Sequence, residues 1–155
     1  MRTHPGSIVF NIKTKDYTHD LFESVNPSYQ KFAYRFERNG LTFSMALFYS
    51  PTSLDEVVFT HSIRTTDKII KIYDNLFCII FDISSGIKGF KACQNILSNY
   101  ETKHFSQKLY LSYASIEEYP YEEIIFSHLS SFLDYAVKEE LFNQVVDGFH
   151  EIEAI

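Results

Sequence analysis

Apolar and polar positions change rhythm along the chain, from the helical period of about 3.6 residues to the strand period of about 2, and the switches lay out the elements. From Asn26-Pro27-Ser28 onward, Tyr29, Phe32, Ala33 and Phe36 recur at helical spacing. Asn26 stands in a capping position, Pro27 at the first helical position, and Asn39-Gly40 as the stop. Leu41–Tyr49 is then almost continuously apolar, the pattern of a strand covered on both faces. Pro51–Asp55 breaks it, and Leu54–Thr65 reads as a short helix. Lys68–Tyr73 and Leu76–Ile83 are strand-like runs on either side of Asp74-Asn75, two residues that tolerate the positive φ of a tight hairpin turn.

Ile87–Tyr100 reads as a helix with Phe90, Cys93, Ile96 and Leu97 on one face, and Gln107–Ile116 as a strand through Leu109, Leu111 and Tyr113. Tyr121–Glu140 carries the longest amphipathic stripe, Ile124, Ile125, Leu129, Phe132, Leu133 and Ala136. Gln144–Phe149 supplies a final edge strand, and residues 7–12 form a first short strand or an N-terminal arm. Strands interleaved with helices plus one hairpin predict an α/β (α+β) architecture: a central mixed sheet flanked by helices.

Composition narrows the function classes more than it names one. A chain of 155 residues suits a single domain, and 15 Phe with 11 Tyr suffice for a dense core. Fourteen Lys plus Arg against twenty Asp plus Glu give a net charge of −6, which argues against a nucleic-acid partner. The apolar run Phe77–Phe81 is far too short to insert in a membrane. Met1–Gly6 carries no apolar leader, and Cys78 and Cys93 stand alone in apolar stretches, so a reducing, cytoplasmic setting is expected.

Catalytic and metal-binding patterns are sparse. His4, His19, His61, His104, His128 and His150 form no pair at ligand spacing, and no cofactor is expected. Cys78, in mid-strand, reads as an inert core thiol. Glu117-Glu118 and Glu122-Glu123 flank a Tyr-Pro-Tyr turn at a helix start, where the helix dipole accounts for them. Ser84-Ser85-Gly86 and the following glycine lack phosphate-loop spacing.

One window does carry a recognisable frame. Arg64-Thr65-Thr66-Asp67, five residues, then Tyr73-Asp74-Asn75-Leu76-Phe77 resembles the diguanylate-cyclase GGDEF domain, which places an RxxD motif five residues before its hairpin turn. Tyr73 and Asp74 fall on the two glycines, Asn75 on the aspartate, Leu76 on the glutamate and Phe77 on the phenylalanine. Asp20–Asn26 resembles the family's opening segment, Leu111–Ala114 the strand ending in S-I-G, and Leu129–Ala136 with Asn143-Gln144-Val145 its close. The resemblance implies a nucleotide-cyclase, ferredoxin-like sheet over residues 20–155, with residues 1–19 as an arm or short strand, in a cytoplasmic bacterial signalling protein.

Departures from the family pattern bear on activity. The resemblance implies a Mg²⁺-binding aspartate at the end of the first long strand and a glutamate in the hairpin, but this chain has Phe48-Tyr49-Ser50-Pro51 and Leu76. A phenol and an isobutyl group do not replace carboxylate ligands. The F-K-x-x-N-D and G-H-x-x-G-D motifs are missing from the short stretch between Tyr49 and Arg64, and Val137 stands where the family has a phosphate-contacting lysine. The expectation is therefore a chain that is not an enzyme. Two readings stay open. In one, Arg64 and Asp67, matching the family's inhibitory site, bind cyclic di-GMP, with Lys68, Lys71 or Arg38 as further basic groups. In the other, the domain is a protein-docking or dimerisation scaffold, with Tyr119, Pro120, Tyr121, Tyr29 and Tyr34 as contact candidates. As a bare pattern, Arg64 and Asp67 also fit a solvated surface pair.

Overall fold

The computed structural model describes residues 10–83, 85–104 and 107–147. The elements are α1 (Thr18–Asn39), β1 (Ser44–Tyr49), α2 (Val57–Thr60), β2 (Lys68–Tyr73), β3 (Leu76–Phe81), α3 (Gly86–Lys103), β4 (Tyr110–Ser115), α4 (Glu122–Lys138) and β5 (Val145–Val146). The sheet order is β2-β3-β1-β4-β5. β1 runs antiparallel to both β3 and β4, β2 antiparallel to β3, and β5 parallel to β4. The path β1-α2-β2-β3-α3-β4 with that strand order is a split βαβ, ferredoxin-like arrangement extended by α1, α4 and β5.

Alternation along the strands divides the core. Met45, Leu47, Tyr49, Cys78, Ile80 and Ala114 face the layer of α1 and α4. Ala46, Phe48, Phe77, Ile79, Phe81, Leu111 and Tyr113 face α2 and α3. The central strand β1 is buried at all six positions, as its unbroken apolar pattern requires. Cys78 and Cys93 lie in opposite layers and are free thiols, and burial pushes both well above the ordinary thiol range. No helix among the described residues is long and apolar enough to cross a membrane.

Several boundaries differ from the sequence pattern for physical reasons. α1 begins at Thr18, so Asn26 is not its cap and Pro27 lies inside it. The Asp16 side chain accepts from Thr18 N–H at 2.9 Å, and Leu21 and Val25 bury on the same face as Tyr29 and Phe32, so packing carries the helix through the proline. Gly40, in the left-handed region at φ 69°, closes it through an N–H bond to Phe36 O. The helix read over Leu54–Thr65 contracts to one turn. The hairpin strands fall where the pattern puts them, yet neither Asp74 nor Asn75 has a positive φ. Pairing slips between Lys71 and Tyr73, leaving Ile72 as an extra residue, and that bulge supplies twist that a primed turn would otherwise provide. β5 realises the final edge strand at Val145–Val146, residues 148–149 of that stretch lying outside the described residues. Of the expected first strand, residues 7–9 lie outside them, and Phe10–Ile12 forms no strand.

Candidate functional site

Antiparallel pairing puts the hairpin turn beside the end of β1, where Tyr49 faces Leu76, and puts the start of β2 beside the end of β3, where Lys68 faces Ile80. The two groups of residues singled out by the sequence therefore sit at opposite ends of the hairpin.

At the turn, the chain fills the space with its own groups. Phe10 inserts among Tyr17, Tyr49 and Tyr73, stacked on Tyr73 at 4.6 Å between ring centres. The Asn75 side chain accepts from Phe10 N–H at 2.9 Å and donates to Phe10 O at 2.7 Å and to Ser50 O at 2.8 Å. Tyr49 Oη accepts from Ile12 N–H and donates to Phe10 O, both at 3.3 Å. Asp74 pairs with Lys71 at 2.6 Å, and its carbonyl accepts from Leu54 N–H at 2.9 Å. The Tyr73 hydroxyl donates to Asp20, and burial, with that carboxylate beside it, raises its pKa strongly. Leu76 is wholly buried, and Phe77 turns to the other face against Phe59.

A paired-Mg²⁺ site does not fit this corner. Magnesium needs several oxygen ligands, and positions 49 and 76 offer a hydrogen-bonded phenol and an alkyl group. The neighbouring carboxylates Asp20 and Asp74 already hold Tyr73 and Lys71. Among the described residues, no group of three or more His, Cys, Asp or Glu side chains is poised to share a cation.

At the other end, Arg64 and Asp67 come together with two residues the sequence did not single out, Arg35 and Asp82. Asp67 accepts from Arg64 N–H at 2.8 Å, from the Arg64 guanidinium at 3.2 Å and from Asp82 N–H at 2.8 Å. Its side chain is only 3% exposed, whereas that of Arg64 is 58% exposed. The Arg64 guanidinium also donates to Asp82 O, and the Asp82 carboxylate, 6% exposed, takes Arg35 from α1. A small pocket of about 160 Å³ opens here, lined by Arg64, Asp67, Ile83, Lys88 and Asn95 among others. Its second basic group is Lys88. Lys71 is held at the far end of the hairpin, Arg38 lies over the Tyr34 ring, and Lys68 does not line the pocket. Asp82 had one legible signal: it is the single acid directly following the run Phe77–Phe81. Arg35 had none, because its partner lies 47 residues away.

The tyrosines divide. Tyr29 is buried against Phe43 and Phe126, and Tyr119 stacks on His128 at 4.2 Å. Tyr34 and Tyr121 face solvent.

Comparison with solved structures identifies the fold. The GGDEF domain of DgcB from Caulobacter crescentus, in complex with c-di-GMP, superimposes with a TM-score of 0.59 at 11% identity, over 94% of this chain and 97% of that one. An EAL/GGDEF domain protein from M. capsulatus gives 0.56 at 14% identity over 81% and 95%. A microbial GGDEF domain described with a novel mode of interaction with c-di-GMP gives 0.55 at 15% over the same shares. No protein-family model matches the chain, and no curated protein sequence does. The chain has the GGDEF fold, and at these identities the likeness speaks for the fold alone.

Proposed function

We propose that this chain is a catalytically inactive, regulatory GGDEF-fold domain that acts by binding a protein rather than by making a nucleotide. The observation that carries this reading is the closed hairpin corner, where Asn75 is spent on Phe10 and Ser50 and the Phe10 ring covers Tyr73. Phosphoryl transfer depends on neutralising charge at the transferring group, and positions 49 and 76 hold no carboxylate for the metals that would do it. The reading also puts the domain in the cytoplasm, where nucleotide signalling operates. Incubation with GTP and Mg²⁺ is expected to release neither pyrophosphate nor cyclic di-GMP. Turnover above a heat-denatured control would overturn the proposal.

A protein partner is favoured over a nucleotide because both Asp67 oxygens already hold backbone N–H groups and its side chain is only 3% exposed. A second reading, a cyclic di-GMP receptor, is supported by the exposure of Arg64 beside Lys88 and by two GGDEF structures described with that ligand. Calorimetric titration with cyclic di-GMP, run beside Arg64→Ala, separates the two. Micromolar binding abolished by the substitution establishes the receptor, and no heat supports the protein-docking domain.

A further inference from the structure

The two edges of the sheet are built differently. β2 forms one edge, where Lys68, Lys71 and the bulge at Ile72 guard against added strands. β5 forms the other and pairs only with β4. Residues 143–147 around it include no lysine, arginine or proline. Alternate residues of a strand turn their N–H and C=O groups to opposite edges, and among the described residues no strand takes the outer set of β5.

A furrow runs along this edge. The space between α3 and β5 holds two adjoining cavities of about 360 and 350 Å³, which share Phe90 and Gln94. The first sets Leu97 and Glu101 opposite Gln144 and Val145, and the second sets Ile87 beside Asp147. Between Gly86 and Glu101, α3 rises about 22 Å, the span of about six or seven extended residues. Ile87, Phe90 and Leu97 follow one another at helical spacing along this wall. Ile87 is 72% exposed, the most of any large apolar residue among those described, and Phe90 is half-buried, edge-on to Tyr113 at 6.1 Å. The rim is acidic on balance, with Glu101, Glu118 and Asp147 against Lys91.

We propose that the furrow between β5 and α3 binds an extended basic peptide of a partner protein, an inference that deepens the protein-binding reading above and rests on it. The peptide adds a sixth strand beside β5. Its main chain meets the outer N–H and C=O groups, and its alternate apolar side chains lie on Ile87 and Phe90. Its lysines or arginines answer the surplus of carboxylates on the rim. The same charges count against the two nearer occupants. A second copy brings another net charge of −6 and the same acidic rim, and the chain's own residues beyond Asp147 include Glu151 and Glu153.

The test is fluorescence anisotropy of the full chain with labelled heptapeptides carrying Lys at alternate positions and Val, Ile, Leu or Phe between them. Micromolar binding that weakens with salt is expected for at least one of them. Methylating alternate backbone nitrogens of that peptide should abolish binding in one of the two registers, because strand addition uses one set of N–H groups and charge attraction uses neither. Gln94→Arg, at an exposed position in the middle of the furrow, should weaken binding at least about tenfold with the melting temperature unchanged. Glu101→Lys with Glu118→Lys should shift the preference to peptides with Glu in place of Lys. Hydrogen exchange at residues 143–147 should slow in the complex. Absence of binding up to about 1 mM, binding indifferent to both methylation patterns, or slowed exchange confined to other elements overturns the proposal. Outer-edge protection already complete in the free chain gives the furrow to the chain's own residues or to a second copy, and overturns it as well. Each of these failures leaves the non-catalytic reading to the GTP assay and the receptor reading to the cyclic di-GMP titration, neither of which depends on this furrow.

Discussion

Replacing Asn75 with alanine tests whether the hairpin corner is a structural lock. The substitution removes the acceptor for Phe10 N–H and the donor for Phe10 O and Ser50 O, all buried. Tyr49 Oη still reaches Phe10 O at 3.3 Å, so two groups, Phe10 N–H and Ser50 O, lose these bonds without that substitute. At about 1–3 kcal/mol for each of the two buried groups left unsatisfied, the expected loss is about 2–6 kcal/mol. That is a large part of the 5–15 kcal/mol typical of a small domain. Urea unfolding, read as the shift in midpoint at constant slope, measures it. A loss below about 1 kcal/mol would refute the reasoning, because the amide would then be replaceable by water. Asn75→Asp adds a sign. Its carboxylate would face two carbonyl oxygens in a buried site, so its folded pKa rises above the ordinary value of about 3.9. Its stability should be greatest below that value and be lost as pH rises through the folded pKa.

Asp67→Asn should cost about 1–3 kcal/mol, because one of its two ends must then present an NH₂ to a backbone N–H, while the more exposed Arg64→Ala should cost at most about 1 kcal/mol; equal losses in chemical denaturation would contradict the asymmetry. Ser112 Oγ is buried without a hydrogen-bond partner, so Ser112→Ala should leave stability unchanged or raise it by up to about 2 kcal/mol, and a clear loss in the same assay would reveal an unseen partner. The bonds from Thr18 to Asp16 lower the Asp16 pKa, so its contribution is complete above the ordinary value of 3.8 and is lost as pH falls through the folded one. Melting temperature against pH should show that acid dependence diminished in Asp16→Asn. Cys78 and Cys93 should resist a thiol reagent in the folded chain and react fully in denaturant; labelling of the native protein at the unfolded rate would contradict their burial.

The strands and the two long C-terminal helices were legible because each obeys one period over several residues, and β1 because a strand covered on both faces leaves an unbroken apolar run. The true start of α1 was hidden because Asn26-Pro27 makes a good local start signal, which burial of Leu21 and Val25 overrides by carrying the helix back to Thr18. The turn geometry was hidden because Asp and Asn suit several turn types and the bulge lies in the strand, not the loop. At the candidate site, Arg64 and Asp67 were legible as a pair because they are neighbours in sequence. The burial of Asp67 and its hold on Asp82 depend on strand pairing across 15 residues, which no local pattern encodes.

The two ends of the hairpin solve one physical problem with different side chains. A ladder stops where its last N–H and C=O groups lose their neighbours, and in a buried sheet those groups need substitutes. At the Asp82 end the orphans are N–H groups, of Asp82 and Arg64, so an acceptor-only carboxylate serves, and the Arg64 guanidinium offsets its charge. At the turn the orphans are of both kinds, Phe10 N–H on one side and the carbonyls of Phe10 and Ser50 on the other, so an amide is required. The acid in the RxxD pair and the amide in the hairpin thus each follow from the backbone groups they meet. A ligand at either end would have to compete with bonds the sheet itself needs. That competition favours contact over exposed surface rather than entry into either corner.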